Sequence, residues 1–390
     1  MIKVVYYSFF PGGGIGRYAH EMISSVARRP DVKAELACSD NFEWRNAASY
    51  DVWPGLLTVN HRTPLFRKAR FLGAQFVSPA RLCRRVRETG AQIVHFNNIN
   101  HLTLPWWKGR LLSTGARMFI TAHDVRRAKA ILCRPWEERQ LRAAYRAMSG
   151  IFVHSGHQRE DLIDFAGVKP ERIHEVPFGA LPYGEPIEDQ TATRKKLGLP
   201  IDRRIALLFG NIRDDKNIDG FLRAMASLEE RPFILIVGRA GGIGNKGDDH
   251  YRRLIVELGL RDDVHFCNEY IPDDRVAEYF AAADWIALPY RTSFTSQSAA
   301  LSVAAYYRRP VLCSNAPTLA ATVRASRIGV VADSDRVDDL AEAVRELGRM
   351  IDAGTTFDFD DFEERHSWKE NARITVDAYR AALDRSPSRV

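Results

Sequence analysis

Apolar positions in this chain come in short, nearly unbroken runs, and each run stops at glycine or a polar residue. In the first half these are IKVVYYSFF, VKAELAC, AQIVHFNN, ARMFITAHD and GIFVHS; in the second they are RIALLFGN, FILIVGRA, DVHFCNEY, WIALPY, RPVLCSN and IGVVAD. Runs of this length without alternation predict strands buried on both faces. The stretches between them have helical spacing: GIGRYAHEMISSVARR and the helix end RLCRRVRETG, then FLRAMASLEE, YRRLIVELGL, RVAEYFAAAD, SAALSVAAYYR and VDDLAEAVRELGRMI. Strands separated by helices imply parallel pairing through right-handed crossovers. Each half therefore predicts its own doubly wound α/β sheet.

The pattern gives a Rossmann-like domain over 1–180 and a second over 201–365. The segment between them, PFGALPYGEPIEDQTATRKK, is rich in proline, glycine and polar residues and predicts a hinge over 181–200. The last stretch, 366–390, reads as a helix with no strand after it, packing back towards the first domain.

Composition narrows the class. A chain of 390 residues suits two domains, and 45% hydrophobic with 27% charged residues is ordinary for a soluble globular protein. No apolar run has the length of a membrane span, and MIKVVYYSFFPGGG reads as a strand entering a glycine loop, not a secretory leader. Cys38, Cys83, Cys133, Cys267 and Cys313 are scattered, which fits reduced thiols in a cytoplasm and argues against a disulfide framework or a zinc site.

The net charge of +7 is lopsided: residues 1–180 hold 27 Lys and Arg against 15 Asp and Glu. The excess is densest where Arg62, Arg67, Lys68, Arg70, Arg81, Arg84, Arg85 and Arg87 occur without an acidic residue, interleaved with Leu65, Phe66, Phe71, Leu72 and Phe76. Such a stretch suits an anionic membrane surface or a polyanionic substrate; the rival reading is a solvated helix face plus a loop. No helix-turn-helix, zinc finger or aromatic RNA-binding signature is present, so no nucleic-acid partner is expected.

Candidate chemistry lies at the strand ends. In LLFGNIRDDK, a strand ends at Gly210 and a loop offers Asn211, Arg213 and Lys216 before a helical segment. Glycine admits close approach, a helix start presents unpaired N–H groups, and lysine adds a point charge, which together suit phosphate. The rival is an ordinary strand-to-helix turn with surface charges. Gly12, Gly13, Gly14 and Gly16 lead into the first helix, but without a clean G-x-G-x-x-G or a well-placed acidic residue for a nicotinamide cofactor. His123 and Asp124 end one strand, and His95, Asn97 and Asn98 end another. Ser155, after His154, reads as a helix cap.

PGGGIGRYAHEM, ITAHD, the junction IFVHSGHQREDLIDFAGVKPERIHEVPFGA, FGNIRDDKNIDGFLRA and NEYIPDDRVAEYFAAADWIALPY occur in the order and spacing of one known family. Together they resemble a GT-B glycosyltransferase, similar to the retaining family 4 enzymes (glycosyl transferases group 1), over nearly the whole chain. The resemblance implies two Rossmann-like domains facing a central cleft, with acceptor bound by the first and nucleotide sugar by the second. It implies that Lys216 holds the departing diphosphate and that His123 serves the donor sugar; Asn211 stands where the family more usually has an arginine, and Arg213, offset from that place, is read as the second cation. Gly13, Gly14, Asn211, Gly238, Glu269, Tyr270, Ser296, Gln297 and Ser298 would bind the donor, and Gly16, His95, Asn97 and Asn98 the acceptor.

One departure is clear. The family usually carries two glutamates with seven residues between them before a G-x-P-V strand; counting back from Pro310, those positions are Thr295 and Val303. Ser296, Gln297 and Ser298 open a helix there, and their hydroxyls and N–H groups suit phosphate or sugar hydroxyls.

No DxD motif stands after a strand where a metal-dependent transferase needs one, so no essential metal and no cofactor are expected, only a UDP- or GDP-sugar as donor. The expected activity is retaining transfer of a hexose-type sugar to a lipid-linked or polysaccharide acceptor, in cell-envelope or exopolysaccharide synthesis. The expected place is the cytoplasm, peripheral on the inner membrane face. The alternative is a non-catalytic nucleotide-sugar or glycan binding protein on the same scaffold.

Overall fold

The computed structural model describes residues 1–9, 12–58, 64–98, 102–127, 130, 133–241 and 244–385, with the backbone alone at 64–69. The chain divides into two compact units, Met1–Phe178 with Ser367–Val390, and Gly179–His366.

In the first unit β1 (Ile2–Tyr7), β2 (Val32–Ala37), β3 (Asp51–Trp53), β4 (Ile93–Phe96), β5 (Arg117–Thr121), β6 (Gly150–Val153) and β7 (Ile173–Glu175) form a parallel sheet in the order β3-β2-β1-β4-β5-β6-β7. Every residue of β4 and β6 is buried, which is why they read as continuous apolar runs. The three-residue edge strands β3 and β7 were not distinguishable from loop by pattern. The final helix, Trp368–Asp384, belongs to this unit. Its start is fixed by Ser367, whose hydroxyl accepts from the Glu370 N–H. It buries Asn371, Thr375, Val376 and Tyr379 against the sheet layer.

In the second unit β8 (Ile205–Phe209), β9 (Phe233–Val237), β10 (Val264–Cys267), β11 (Trp285–Leu288), β12 (Val311–Ser314) and β13 (Gly329–Ala332) run parallel in the order β10-β9-β8-β11-β12-β13. Phe221, Met225 and Trp285 are among the fully buried side chains of its core. Strand order thus reverses once in each sheet, between β1 and β4 and between β8 and β11. Crevices for ligands open at such reversals, beyond the carboxyl ends of the strands.

Two expectations change. The second half of the 181–200 hinge is a helix, Gln190–Leu197, capped by the Asp189 carboxylate on the Ala192 N–H and closed by Gly198 in the left-handed region at φ 66. It is anchored to the second unit by Arg194, buried, whose guanidinium donates to the Ala282 carbonyl at 2.9 Å and to the Asp284 carboxylate at 2.7 Å. The helix read only at its end, RLCRRVRETG, begins much earlier: one helix, Pro64–Thr89, runs through Pro79. Ala74, Ser78, Leu82 and Val86 bury its inner stripe, four residues apart.

Several of its cations are also committed inward. Arg85 pairs with Glu35, its Nε donating at 3.0 Å, Arg81 donates to the Gly55 carbonyl, and Arg70 donates to the Thr58 carbonyl. Arg62 and the side chains of Leu65, Phe66, Arg67 and Lys68 lie outside the described residues.

Candidate functional site

The strand end of β8 builds the most chemically loaded position of the second unit. Gly210 turns the chain with φ 89, and a Cβ on it would sit 3.3 Å from the Lys216 ammonium. Lys216 curls back so that its Nζ donates to the Phe209 carbonyl. The short turn Asp214–Lys216 closes at Asn217, which adopts the left-handed region at φ 53 and donates its side-chain amide to the Ser334 carbonyl at 2.7 Å. That bond fixes where the helix Ile218–Ala226 begins. Burial, with help from the nearby Arg213 charge and against the pull of Asp215, pushes the Lys216 ammonium down to about 7. Arg213 is half exposed and forks onto Asp215 at 2.9 Å.

Gly238, at the end of β9, stands against this turn so closely that a Cβ would fall 2.2 Å from the Gly210 carbonyl oxygen, and its φ of 146 also favours glycine. Across the reversal, the loop after β11 is tied to the same turn: the Arg291 N–H donates to the Asp215 carbonyl at 2.9 Å. Tyr290 is buried, stacked on Phe294 at 4.2 Å, and its hydroxyl meets the Ser298 hydroxyl at 2.9 Å. Ser298 is therefore turned to Tyr290 and does not cap the helix Ala299–Tyr306 with its side chain. The Gln297 Oε1 is buried without a partner among the described residues. Thr295 and Val303, the positions where the family carries carboxylates, are used structurally: the Thr295 carbonyl accepts from the Thr318 hydroxyl at 3.0 Å, and Val303 is buried.

The structure thus brings Asn211, Arg213, Lys216, Gly238, Ser296, Gln297 and Ser298 to one edge of one sheet, around the β8–β11 reversal. Glu269 and Tyr270 are exposed beyond β10, two strands away from β8, where the Glu269 carboxylate accepts from the Cys267 thiol at 3.2 Å.

In the first unit the β1–β4 reversal is lined differently. Gly13, at φ 67, and Gly14 are exposed at the start of the helix Gly13–Ala27. The Gly13 N–H faces the Glu43 carboxylate at 3.4 Å. Gly16 is buried in the first turn, so it offers no surface to an acceptor. The Asn98 side chain accepts from the Phe9 N–H at 3.3 Å, while both polar atoms of the fully buried Asn97 side chain lack a partner among the described residues.

His95 is a correction. It is 1% exposed, its Nε2 is 2.8 Å from the Thr121 hydroxyl, and its Nδ1 is hydrogen-bonded to the Tyr379 hydroxyl of the final helix. Both nitrogens are satisfied within the core, because β4 is central and covered on both faces, so His95 does not line an acceptor site. His123 does stand at its strand end. Its ring touches His154 and the edge of Tyr18, and its carbonyl accepts from the Gln158 amide at 2.9 Å. Burial, and then the neighbouring His154 and His95, hold its pKa well below the usual imidazole value.

The family model described as "Glycosyl transferases group 1" matches residues 189–375, and that of "Glycosyltransferase Family 4" matches residues 12–180. The chain belongs to the group 1 glycosyltransferases. Among relatives of this family, the D-inositol 3-phosphate glycosyltransferase of Rhodococcus jostii is 28% identical over 242 residues, 60% of this chain and 52% of that protein. The protein of the same name from Streptomyces coelicolor is 30% identical over 237 residues, 57% of this chain and 50% of its own. The chain spans about half the length of the curated relatives it matches.

Among solved structures, sucrose-phosphate synthase of Thermosynechococcus elongatus superposes with a TM-score of 0.73 at 20% identity, covering 99% of this chain and 100% of that one. HepE of Anabaena in complex with UDP-glucose gives 0.73 at 15%, covering 98% and 99%. Likeness at such identity speaks for the fold, which is the two-domain GT-B fold.

Three residues of this glycosyltransferase-family chain, Gln158, Glu43 and Arg291, carry little or no signal in the sequence. Gln158 joins the His123 carbonyl to the His154 N–H, accepting from the latter at 2.8 Å. The only sequence signal for it was its place three residues after Ser155, whose hydroxyl accepts from the Gln158 N–H. Glu43 and Arg291 gave no signal, since each acts through a loop contact remote in sequence.

Proposed function

We propose that the protein is a retaining glycosyltransferase that moves a hexose-type sugar from a UDP- or GDP-sugar to a lipid-linked or polysaccharide acceptor. The observation that carries this reading is Lys216, folded back beneath Gly210 at the β8–β11 reversal with its pKa drawn down to about 7. Cleaving the bond between the anomeric carbon and the diphosphate builds negative charge on the leaving group. A desolvated ammonium stabilises that charge more than it stabilises the ground state, because the diphosphate, already anionic, gains a further negative charge beside it as the bond breaks. Arg213 releases Asp215 and adds a second cation, and the N–H groups of Ser296 to Ser298 receive the remaining oxygens. These groups take the role a divalent cation has elsewhere, so transfer is proposed to need no metal, and a chelator should leave the rate unchanged. The HepE complex with UDP-glucose supports a nucleotide-sugar donor.

A lipid-borne acceptor is favoured by the outer face of the helix Pro64–Thr89. Leu72 and Phe76, one turn apart, are 62% and 44% exposed, and Phe76 stacks on the exposed Trp106 at 5.4 Å. Aromatic and aliphatic side chains flanked by Arg84 and Arg87 suit the headgroup region of an anionic bilayer on the cytoplasmic side. No helix among the described residues is long and apolar enough to cross a membrane.

The test is a transfer and hydrolysis assay across nucleotide sugars with lipid-linked and soluble acceptors, with Lys216→Ala beside the parent. Release of nucleoside diphosphate that depends on Lys216 supports the reading; failure to bind any nucleoside diphosphate overturns it. A second reading, nucleotide-sugar binding without turnover, is favoured by the lack of a carboxylate at Thr295 and Val303. It predicts binding with no diphosphate release.

A further inference from the structure

His154 follows β6 and His123 follows β5, and the two rings meet with His154 Nε2 3.2 Å from His123 Nδ1. The other nitrogen of His154, Nδ1, lies 3.2 Å from the Val176 carbonyl oxygen. A carbonyl only accepts, so His154 carries its proton on Nδ1 and turns the lone pair of Nε2 to His123. Two facing lone pairs would repel, so His123 supplies the proton of that contact from its own Nδ1. Its Nε2 is then left as an acceptor, and among the described residues no protein group donates to this buried atom.

The surroundings hold both rings neutral and in place. Burial pushes His154 down to about 4 and His123 well below its usual range, with the Asn97 carbonyl opposing only weakly in the second case. The Tyr18 ring stands edge-on to both imidazoles, at 4.6 Å from His123 and 5.2 Å from His154, and Phe178 stands edge-on to His154 at 5.2 Å. Gln158, 1% exposed, clamps both backbones. Imidazole in water favours the Nε2–H form, so a chain of two Nδ1–H rings is imposed by the fold.

We propose that His154 is a positioning residue that locks His123 in the Nδ1–H tautomer, so that His123 Nε2 accepts a hydrogen bond from a hydroxyl of a polyol ligand. That the polyol is the transferred sugar rests on the function proposed above; the tautomer does not. The arrangement selects for a ligand that brings an O–H to this nitrogen. A deoxy or O-methyl analogue leaves the buried lone pair unmet, a loss greater than that of an ordinary hydrogen bond.

The experiment is long-range proton–nitrogen NMR of the full chain labelled with 15N-histidine at pH 7.5, the two rings assigned through His123→Gln and His154→Phe. The parent protein should show both rings protonated on Nδ1. In His154→Phe, which keeps a ring but no acceptor, His123 should move to the Nε2–H form, and kcat/KM for transfer should fall roughly tenfold. His154→Gln offers a carbonyl to His123 and should restore the Nδ1–H signal. A parent spectrum with the His123 proton on Nε2, or a His123 tautomer unchanged in His154→Phe, overturns the proposal. If His154→Phe does not fold, the parent spectrum and His154→Gln decide. If no sugar is transferred at all, the spectra still fix the tautomer of His123, so the two readings fail separately.

Discussion

The two sheets reverse strand order in the same way, yet what stands at the two reversals has opposite chemical character. Beyond β8 and β11 there is a half-buried ammonium, a half-exposed guanidinium forked onto its own turn, and a helix start after Ser298. Beyond β1, β4, β5 and β6 there are two neutral imidazoles, an amide without a partner among the described residues and a carboxylate resting by the glycine loop. The first set answers to an anion, the second to hydroxyl groups. Shared topology supplies the crevice in each case, and only the residues at the strand ends decide what it suits.

The largest effect that distinguishes the two is electrostatic. Lys216→Ala should lower kcat for sugar transfer by about 10²–10³, the range for loss of a preorganised charge-stabilising donor. His123→Ala, which removes a neutral acceptor, should cost only about tenfold. Equal losses in steady-state kinetics would erase the distinction.

Glycines separate the two units next. Gly238→Ala forces a Cβ onto the Gly210 carbonyl at 2.2 Å and should destabilise the second unit by about 3 kcal/mol, read by hydrogen exchange in β8 and β9. Gly13→Ala meets open space and suffers only from its φ of 67, so about 1 kcal/mol is expected in the first unit. A smaller loss follows from Tyr379→Phe, which strips His95 Nδ1 of its partner in the core. It should cost the first unit about 1–2 kcal/mol in urea unfolding and leave nucleoside diphosphate affinity unchanged. The smallest is at the surface: Leu72→Glu should weaken retention on anionic vesicles roughly fivefold, with no change in nucleotide binding.

The parallel strands were legible because strands covered on both faces are written as unbroken apolar runs; ALLF and ILIV leave little choice. The Lys216 turn was legible because its parts lie within seven residues, from Gly210 to Lys216. What sequence could not show depends on contacts made across long separations. His95 has the same strand-end position as His123, and only Tyr379, 284 residues later, makes it a core residue. The helix through Pro79 was missed for the opposite reason: a local signal for a break was present, and packing overrode it; the helix Gln190–Leu197 carries its own cap at Asp189 and its own stop at Gly198, hidden by the proline and glycine just before it.

If Lys216 is the proton-linked cation of a diphosphate site, calorimetry will read it. With its pKa at about 7, roughly nine-tenths of free Lys216 is neutral at pH 8. A bound diphosphate favours the ammonium and raises that pKa, so binding takes up a proton. On this linkage, Lys216 leaves affinity level below pH 7 and weakens it as pH rises above 7. Titration of UDP and GDP at pH 8, in two buffers of different ionisation enthalpy, should show uptake of close to one proton by the parent protein and none by Lys216→Met, with roughly hundredfold weaker binding in the variant. Equal affinity of the two proteins, with no proton taken up by either, would contradict it.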